Sequence, residues 1–250
     1  MGRGAAGIFV AGLAVLGGGA EAAELRVAAA ANLQPALSEI AALYRVRTGT
    51  EPSISYGSSG NLARQIEQGA PHRLFLSADE ETARILVAKG RTRDEGAVYA
   101  RGLSILFVPT GSATTLDLGL LKADFEAGRL ARLAIANPDY APYGRQAVKV
   151  LEALGLWPAI RPKLVLGESV AQTAHFALTG SVDAAILPAA FVGALKDKGR
   201  IGLIADRYAA PLAQRMVVIR PVDPQASAFH DFILSAEAQA IFARHGYAPP

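Results

Sequence analysis

The 250-residue chain has no cysteine, one tryptophan and two methionines. Without cysteine there can be no disulfide, thiolate metal site or thiol nucleophile, and no Cys through which a lipid could tether the chain. An excess of one charge is also missing. Lys and Arg number 25 against 22 Asp and Glu, a net +3, and the basic residues are scattered with no interleaved aromatics. That excludes the usual footprint of a nucleic-acid binder. The G-x-S-x-G, H-E-x-x-H, Walker and G-x-G-x-x-G motifs are absent, so no enzymatic activity is expected. The four histidines (His72, His175, His230, His245) lie far apart in sequence, and no metal site with direct protein ligands is expected. His175, between Ala174 and Phe176 in a helical pattern, reads as a packed residue, and His245 as a surface one.

Long apolar runs are scarce too. The main one, Ala5 to Leu16, falls short of the roughly 20 residues that span a bilayer. It follows Arg3 and precedes Ala20-Glu21-Ala22, the pattern of a basic region, an apolar region and an A-x-A cleavage site. Residues 1–22 are therefore expected to be a signal peptide cleaved after Ala22. Its loss removes Arg3 and Glu21 and leaves the charge balance unchanged. The mature protein is expected in the periplasm, soluble and free of a lipid anchor.

The chain as a whole is 51% hydrophobic, enough for one or two ordinary cores. Short apolar runs alternate with helical patterns, which predicts an α/β fold. Strands are expected at 25–29, 53–56, 74–76, 103–108, 133–135, 164–166, 184–187, 202–204 and 216–219. Helices are expected at about 33–44, 61–68, 80–89, 145–154 and 170–178, and within 226–244. Glycines at 49, 69, 90, 155 and 180 close five of them.

Four strand-to-helix junctions carry small polar or backbone-exposing residues: Ala31-Asn32, Gly57-Ser58-Ser59-Gly60, Ala141-Pro142-Tyr143-Gly144 and Glu168-Ser169-Val170. Each precedes a helix, whose first amides lack intrahelical partners and whose dipole favours an anion. Asn32, Ser58, Ser59 and Ser169 are also good N-cap residues, and capping alone would account for any one of them.

Several of these segments carry a resemblance. Val27-Ala28-Ala29-Ala30-Ala31-Asn32-Leu33, Ser58-Ser59-Gly60-Asn61-Leu62-Ala63-Arg64-Gln65-Ile66-Glu67-Gln68-Gly69-Ala70-Pro71 and Leu74-Phe75-Leu76-Ser77-Ala78-Asp79 resemble the periplasmic molybdate-binding protein family. Arg132 to Pro138, Pro142-Tyr143-Gly144, Glu168-Ser169-Val170 and Phe242 to Tyr247 fit the same pattern in register. The resemblance implies the α/β two-lobed type II periplasmic binding protein fold with a two-crossover hinge. One lobe would be residues 24–102 plus 216–250 and the other 103–215, with crossovers near Arg101-Gly102 and Gln214-Arg215. It implies capture of molybdate or tungstate between the lobes and delivery to an ABC transporter membrane permease, by a monomer that uses no cofactor. A same-fold binder of sulfate, thiosulfate or phosphate is the alternative. The family's ligand positions fall on Asn32 and Ser59, donating from side chain and backbone, and on Tyr143 and Val170, donating from backbone N–H. A fifth position, often a Tyr, falls on Leu187, which has no hydroxyl to offer. Arg73 stands where the family usually has Asp.

Neutral donors suffice for a dianion if each bond is charge-assisted, at roughly 1.5–3 kcal/mol net. Six or seven would total roughly 9–20 kcal/mol before closure and desolvation are subtracted, against about 12 kcal/mol for a nanomolar complex.

Overall fold

A computed structural model describes residues 1–2 and 24–250. The expected signal peptide falls almost wholly outside the described residues. Among those residues, no helix is long and apolar enough to cross a membrane.

The strands are β1 (Arg26–Ala30), β2 (Ser53–Gly57), β3 (Leu74–Leu76), β4 (Ala97–Gly102), β5 (Ser104–Pro109), β6 (Leu133–Ala136), β7 (Leu164–Gly167), β8 (Ala184–Pro188), β9 (Gly199–Leu203), β10 (Leu212–Val218) and β11 (Tyr247–Ala248). They form two mixed sheets, one ordered β11-β4-β10-β3-β1-β2 and the other β7-β6-β8-β5-β9. In the first, β1 runs parallel to β2 and β3, while β10 is antiparallel to both β3 and β4. In the second, β6 runs parallel to β7 and β8, and β5 is antiparallel to β8 and β9. Each sheet with its helices is one lobe of an α/β two-lobed fold. Consecutive strands β4 and β5 belong to different sheets, and β10 returns the chain to the first.

Apolar runs buried on both faces make the central strands. Val27, Leu74, Phe75, Leu76, Phe107, Leu133 and Ile135 are all fully buried, as expected where helices cover both sides of a sheet. The largest apolar cluster runs from Leu37 and Phe229 in the first lobe through Ala31, Leu33 and Phe191 to Phe107 and Leu187 in the second. The two lobes are therefore packed on one another.

Most expected elements occupy the expected segments, with shifted ends. The helix Gln34–Thr48 stops at Gly49, which adopts a left-handed conformation with φ of 75° that favours glycine. The helices Ser59–Glu67 and Pro142–Ala153 start two and three residues earlier than their apolar pattern does. Their first turns are held by the junction residues rather than by a hydrophobic face. β4 was not expected, because Ala97-Val98-Tyr99-Ala100-Arg101-Gly102 has no continuous apolar run; cross-strand pairing with β10 makes it a strand. His175 is exposed, not packed: it lies on the outer face of the helix Val170–Leu178, whose buried residues include Val170, Thr173, Ala174 and Ala177. Arg73 is half-buried just before β3, where its amide donates to the Arg26 carbonyl at 2.8 Å.

Candidate functional site

Parallel strands point their carboxyl ends at one place, and helices leave from there. β1 ends at Ala30 and leads into the short 3-10 segment Ala31–Leu33. β2 ends at Gly57, immediately before the helix Ser59–Glu67. In the second lobe β6 leads, through the loop 137–141, to the helix Pro142–Ala153, and β7 leads to Val170–Leu178. The crevice beyond the carboxyl ends of such strands is where open α/β sheets bind ligands. Here Asn32, Ser59, Tyr143 and Val170 all line one cavity, joined by Ala31 and Ser58. None of its lining residues is Lys, Arg, Asp or Glu. The space is small, since the centre of a water-sized sphere can occupy only about 10 Å³ of it. That is room for about one water-sized group, far below the several hundred Å³ typical of sites for larger organic ligands.

Each position presents a donor for a physical reason. Ser59 and Val170 are the first residues of their helices and Tyr143 is the second, so their amides have no intrahelical acceptor. Ser59 is completely buried, and its Oγ accepts from the Ala78 amide at 3.0 Å, which leaves its hydroxyl proton free to donate. Ser58 occupies the N-cap position, yet its side chain makes no cap hydrogen bond, and its buried Oγ has no partner among the described residues. Ser169 behaves differently and does cap its helix, accepting from the Gln172 amide at 3.3 Å.

Asn32 departs from the expected side-chain donor. Its Nδ2 donates to Gln214 Oε1 at 3.0 Å and to the Tyr247 hydroxyl at 2.9 Å. Tyr247 commits its own proton to the Asn32 carbonyl at 2.7 Å, so its oxygen takes a donor from the amide. The Asn32 Oδ1 is left buried without a partner among the described residues. Gln214 extends this network, with Nε2 donating to the Tyr143 hydroxyl across the lobes at 3.1 Å and Oε1 lying 3.0 Å from the Tyr99 hydroxyl. Burial raises the pKa of Tyr99, Tyr143 and Tyr247 above the ordinary phenol value, so all three stay neutral with one proton each.

Leu187 is fully buried in β8, paired with Ile105, and is not a lining residue. Sequence reasoning missed Gln214, Tyr99 and Tyr247, which reach the site through pairing of β4, β10 and β11. It placed Ser58 in an anion-favouring junction and as a good N-cap, but not among the ligand positions.

Polar contacts close the lobes around the cavity. The Gly60 amide donates to the Tyr140 carbonyl at 2.9 Å, and the Arg64 guanidinium lies 5.5 Å from the Tyr140 ring centroid. Arg145 pairs with Asp79 and reaches Thr82 Oγ1 at 3.4 Å. A Cβ on Gly60 would lie 2.9 Å from the Tyr140 Cβ and carbonyl oxygen, so only glycine permits this approach.

Two α/β lobes closed on a small, donor-lined cavity without charged walls define a two-lobed solute-binding protein. The chain belongs to the family of bacterial extracellular solute-binding proteins, whose model matches residues 25–248. It is thus a solute-capturing transport component rather than an enzyme. It is 33% identical to the molybdate-binding protein ModA of Rhodobacter capsulatus over 91% of this chain and 89% of that one. The solved periplasmic molybdate-binding protein of Azotobacter vinelandii superposes with a TM-score of 0.83 at 29% identity, covering 91% of this chain and all of that one. The sulfate-binding protein SubI of Mycobacterium tuberculosis shares the fold, with a TM-score of 0.73 at 16% identity over 90% of this chain and 86% of that one.

Proposed function

We propose that the protein captures molybdate or tungstate from the periplasm and delivers it to the membrane permease of an ABC transporter. The observation that carries this reading is the convergence of Asn32, Ser59, Tyr143 and Val170 on one small cavity without charged walls. Main-chain amides at three helix N-termini and the hydroxyls of Ser58 and Ser59 hold the anion's oxygens. Each such bond to a charged oxygen is stronger than one between neutral groups. The relatives named for molybdate binding support the choice of anion.

The ligand's size and protonation set its selectivity. Sulfate carries the same charge but is smaller, so it cannot meet all the donors together. The lobes are residues 24–102 plus 216–250 and residues 103–215, hinged near Arg101-Gly102 and Gln214-Arg215, with Leu212 to Arg215 of the returning crossover already paired in the first lobe's sheet. The strand register shifts between Gln214 and Arg215, a local irregularity that suits a bend. Binding closes the lobes about that hinge, and the permease receives the closed monomer. Residues 1–22 direct export and are removed.

Calorimetric titration of the purified protein with molybdate, tungstate and sulfate tests this reading. Tight binding of the first two and weak binding of sulfate is expected. Sulfate binding as tightly as molybdate would overturn the choice of anion. A thermal melt offers a second readout: ligand at 100 times its Kd should add about 2.7 kcal/mol to stability.

A further inference from the structure

Three details of the buried network beside the cavity conflict with an oxyanion ligand or with proton counting. The Asn32 Oδ1 has no partner among the described residues, and in the cavity that Asn32 lines an acceptor would repel an anion's oxygen. Tyr99 has a single hydroxyl proton but faces two acceptors, the Ser77 carbonyl at 2.7 Å and Gln214 Oε1 at 3.0 Å. The Tyr143 hydroxyl, which accepts from Gln214, has no acceptor for its own proton among the described residues.

A concerted half-turn of the two side-chain amides, Asn32 and Gln214, leaves every heavy-atom position in place and exchanges donors for acceptors. Gln214 Nε2 then donates to Asn32 Oδ1 and to the Tyr99 hydroxyl, which is free to donate to Ser77. Tyr143 donates to Gln214 Oε1. Tyr247 shares its one proton between the two Asn32 oxygens. Asn32 Nδ2 is now the atom left for the cavity, as a donor. One shared proton and an Asn32 Nδ2 open to the ligand replace a doubly claimed proton, an idle phenol and an orphaned oxygen.

We propose that Gln214 is a positioning residue that sets the polarity of the Asn32 amide, holding its Nδ2 toward the bound oxyanion. This rests on the oxyanion reading and explains its selectivity. With Nδ2 inward the Asn32 amide offers the anion a donor, which suits the fully deprotonated oxygens of molybdate and gives a protonated phosphate oxygen no acceptor at that position. With Oδ1 inward it would find one. Because Gln214 lies 3.1 Å from the Tyr143 hydroxyl of the other lobe, this polarity is imposed most fully when the lobes are closed.

The test is a double-mutant cycle of Gln214→Met and Asn32→Ala. Molybdate affinity is measured by calorimetry, and inorganic phosphate affinity near pH 6 by displacement of molybdate. Gln214→Met should weaken molybdate about tenfold, the scale of one charge-assisted hydrogen bond, and weaken phosphate less, so that the molybdate-to-phosphate ratio narrows. It should add little on the Asn32→Ala background. Full additivity of the two substitutions, or equal weakening of both anions, would overturn the proposal. The latter is what a merely loosened structure would give. If Gln214→Met does not melt cooperatively, Tyr99→Phe removes the phenol that anchors Gln214 and should narrow the same ratio; an unchanged ratio there also overturns it. Wild-type protein that binds no molybdate at all would instead defeat the functional reading, and the two failures are distinguishable.

Discussion

The two lobes contribute to the cavity in different chemical currencies. On the reading proposed above, the first would supply side chains, the hydroxyls of Ser58 and Ser59 and the amide of Asn32, in addition to main-chain amides. The second would supply main-chain N–H groups alone, from Tyr143 and Val170. Its side chains there serve other ends, since the Tyr143 hydroxyl is turned to Gln214 and the Val170 side chain packs in the core. A side-chain donor is lost by a conservative substitution, whereas a main-chain donor survives any substitution except proline. The lobes should therefore respond to mutation in opposite ways, although each makes bonds of similar strength.

The largest expected effect acts on both lobes together. Gly60→Val places atoms where the Tyr140 carbonyl now sits and should hold the lobes apart. Molybdate binding should fall roughly a hundredfold or more, since overpacking opposes the closed state, with an open small-angle scattering profile at saturating ligand. An unchanged profile would mean that closure does not need this contact.

Next come two substitutions that compare the lobes directly. Val170→Pro removes an amide at a helix position that tolerates proline, and Ser169 before it already has the extended backbone that proline requires (φ −143°, ψ 166°). Stability should be held within about 1 kcal/mol, while molybdate binding weakens by about 1.5–3 kcal/mol. Ser59→Ala should weaken binding by a similar amount in calorimetry. It should also lower the melting temperature, because the Ala78 amide loses its acceptor. If Val170→Pro leaves affinity intact, the second lobe's main chain is not a donor.

A smaller loss is expected from Arg145→Ala, which removes an ion pair at the cleft rim. Arg145 is about one-third exposed and Asp79 more buried, at 32% and 11% of their side chains, so screening limits the effect to about 1 kcal/mol. That loss should appear mainly as faster ligand release in stopped flow. The smallest is Val170→Ala, which keeps the amide and should change affinity by less than about threefold. A larger change would sink the idea that this lobe acts only through its backbone.

Much of the scaffold could be read along the chain. Leu74-Phe75-Leu76 and Leu133-Ala134-Ile135 are strands because strands buried on both faces need continuous apolar runs. Gly49 and Gly155 stop helices because each takes a positive φ. Short strands lacking such a run, β4 and β11, escaped notice, as their pairing partners lie far away in sequence. Asn32, Ser59, Tyr143 and Val170 were legible only as candidates, since a residue before a helix can cap it as readily as bind an anion. Ser169 caps, while Ser58 does not, and nothing in the two residues themselves distinguishes them.

The amino-acid sequence alone determined the alternation of strands and helices, where most of them stop, and which residue types stand at the junctions. These depend on interactions within a few residues. Convergence of the junctions on one cavity, and the direction in which the Asn32 amide faces, were decided only by tertiary structure. Asn32 and Gln214 are 182 residues apart, and which atom of an amide donates is set by neighbours that the folded chain alone brings within 3 Å.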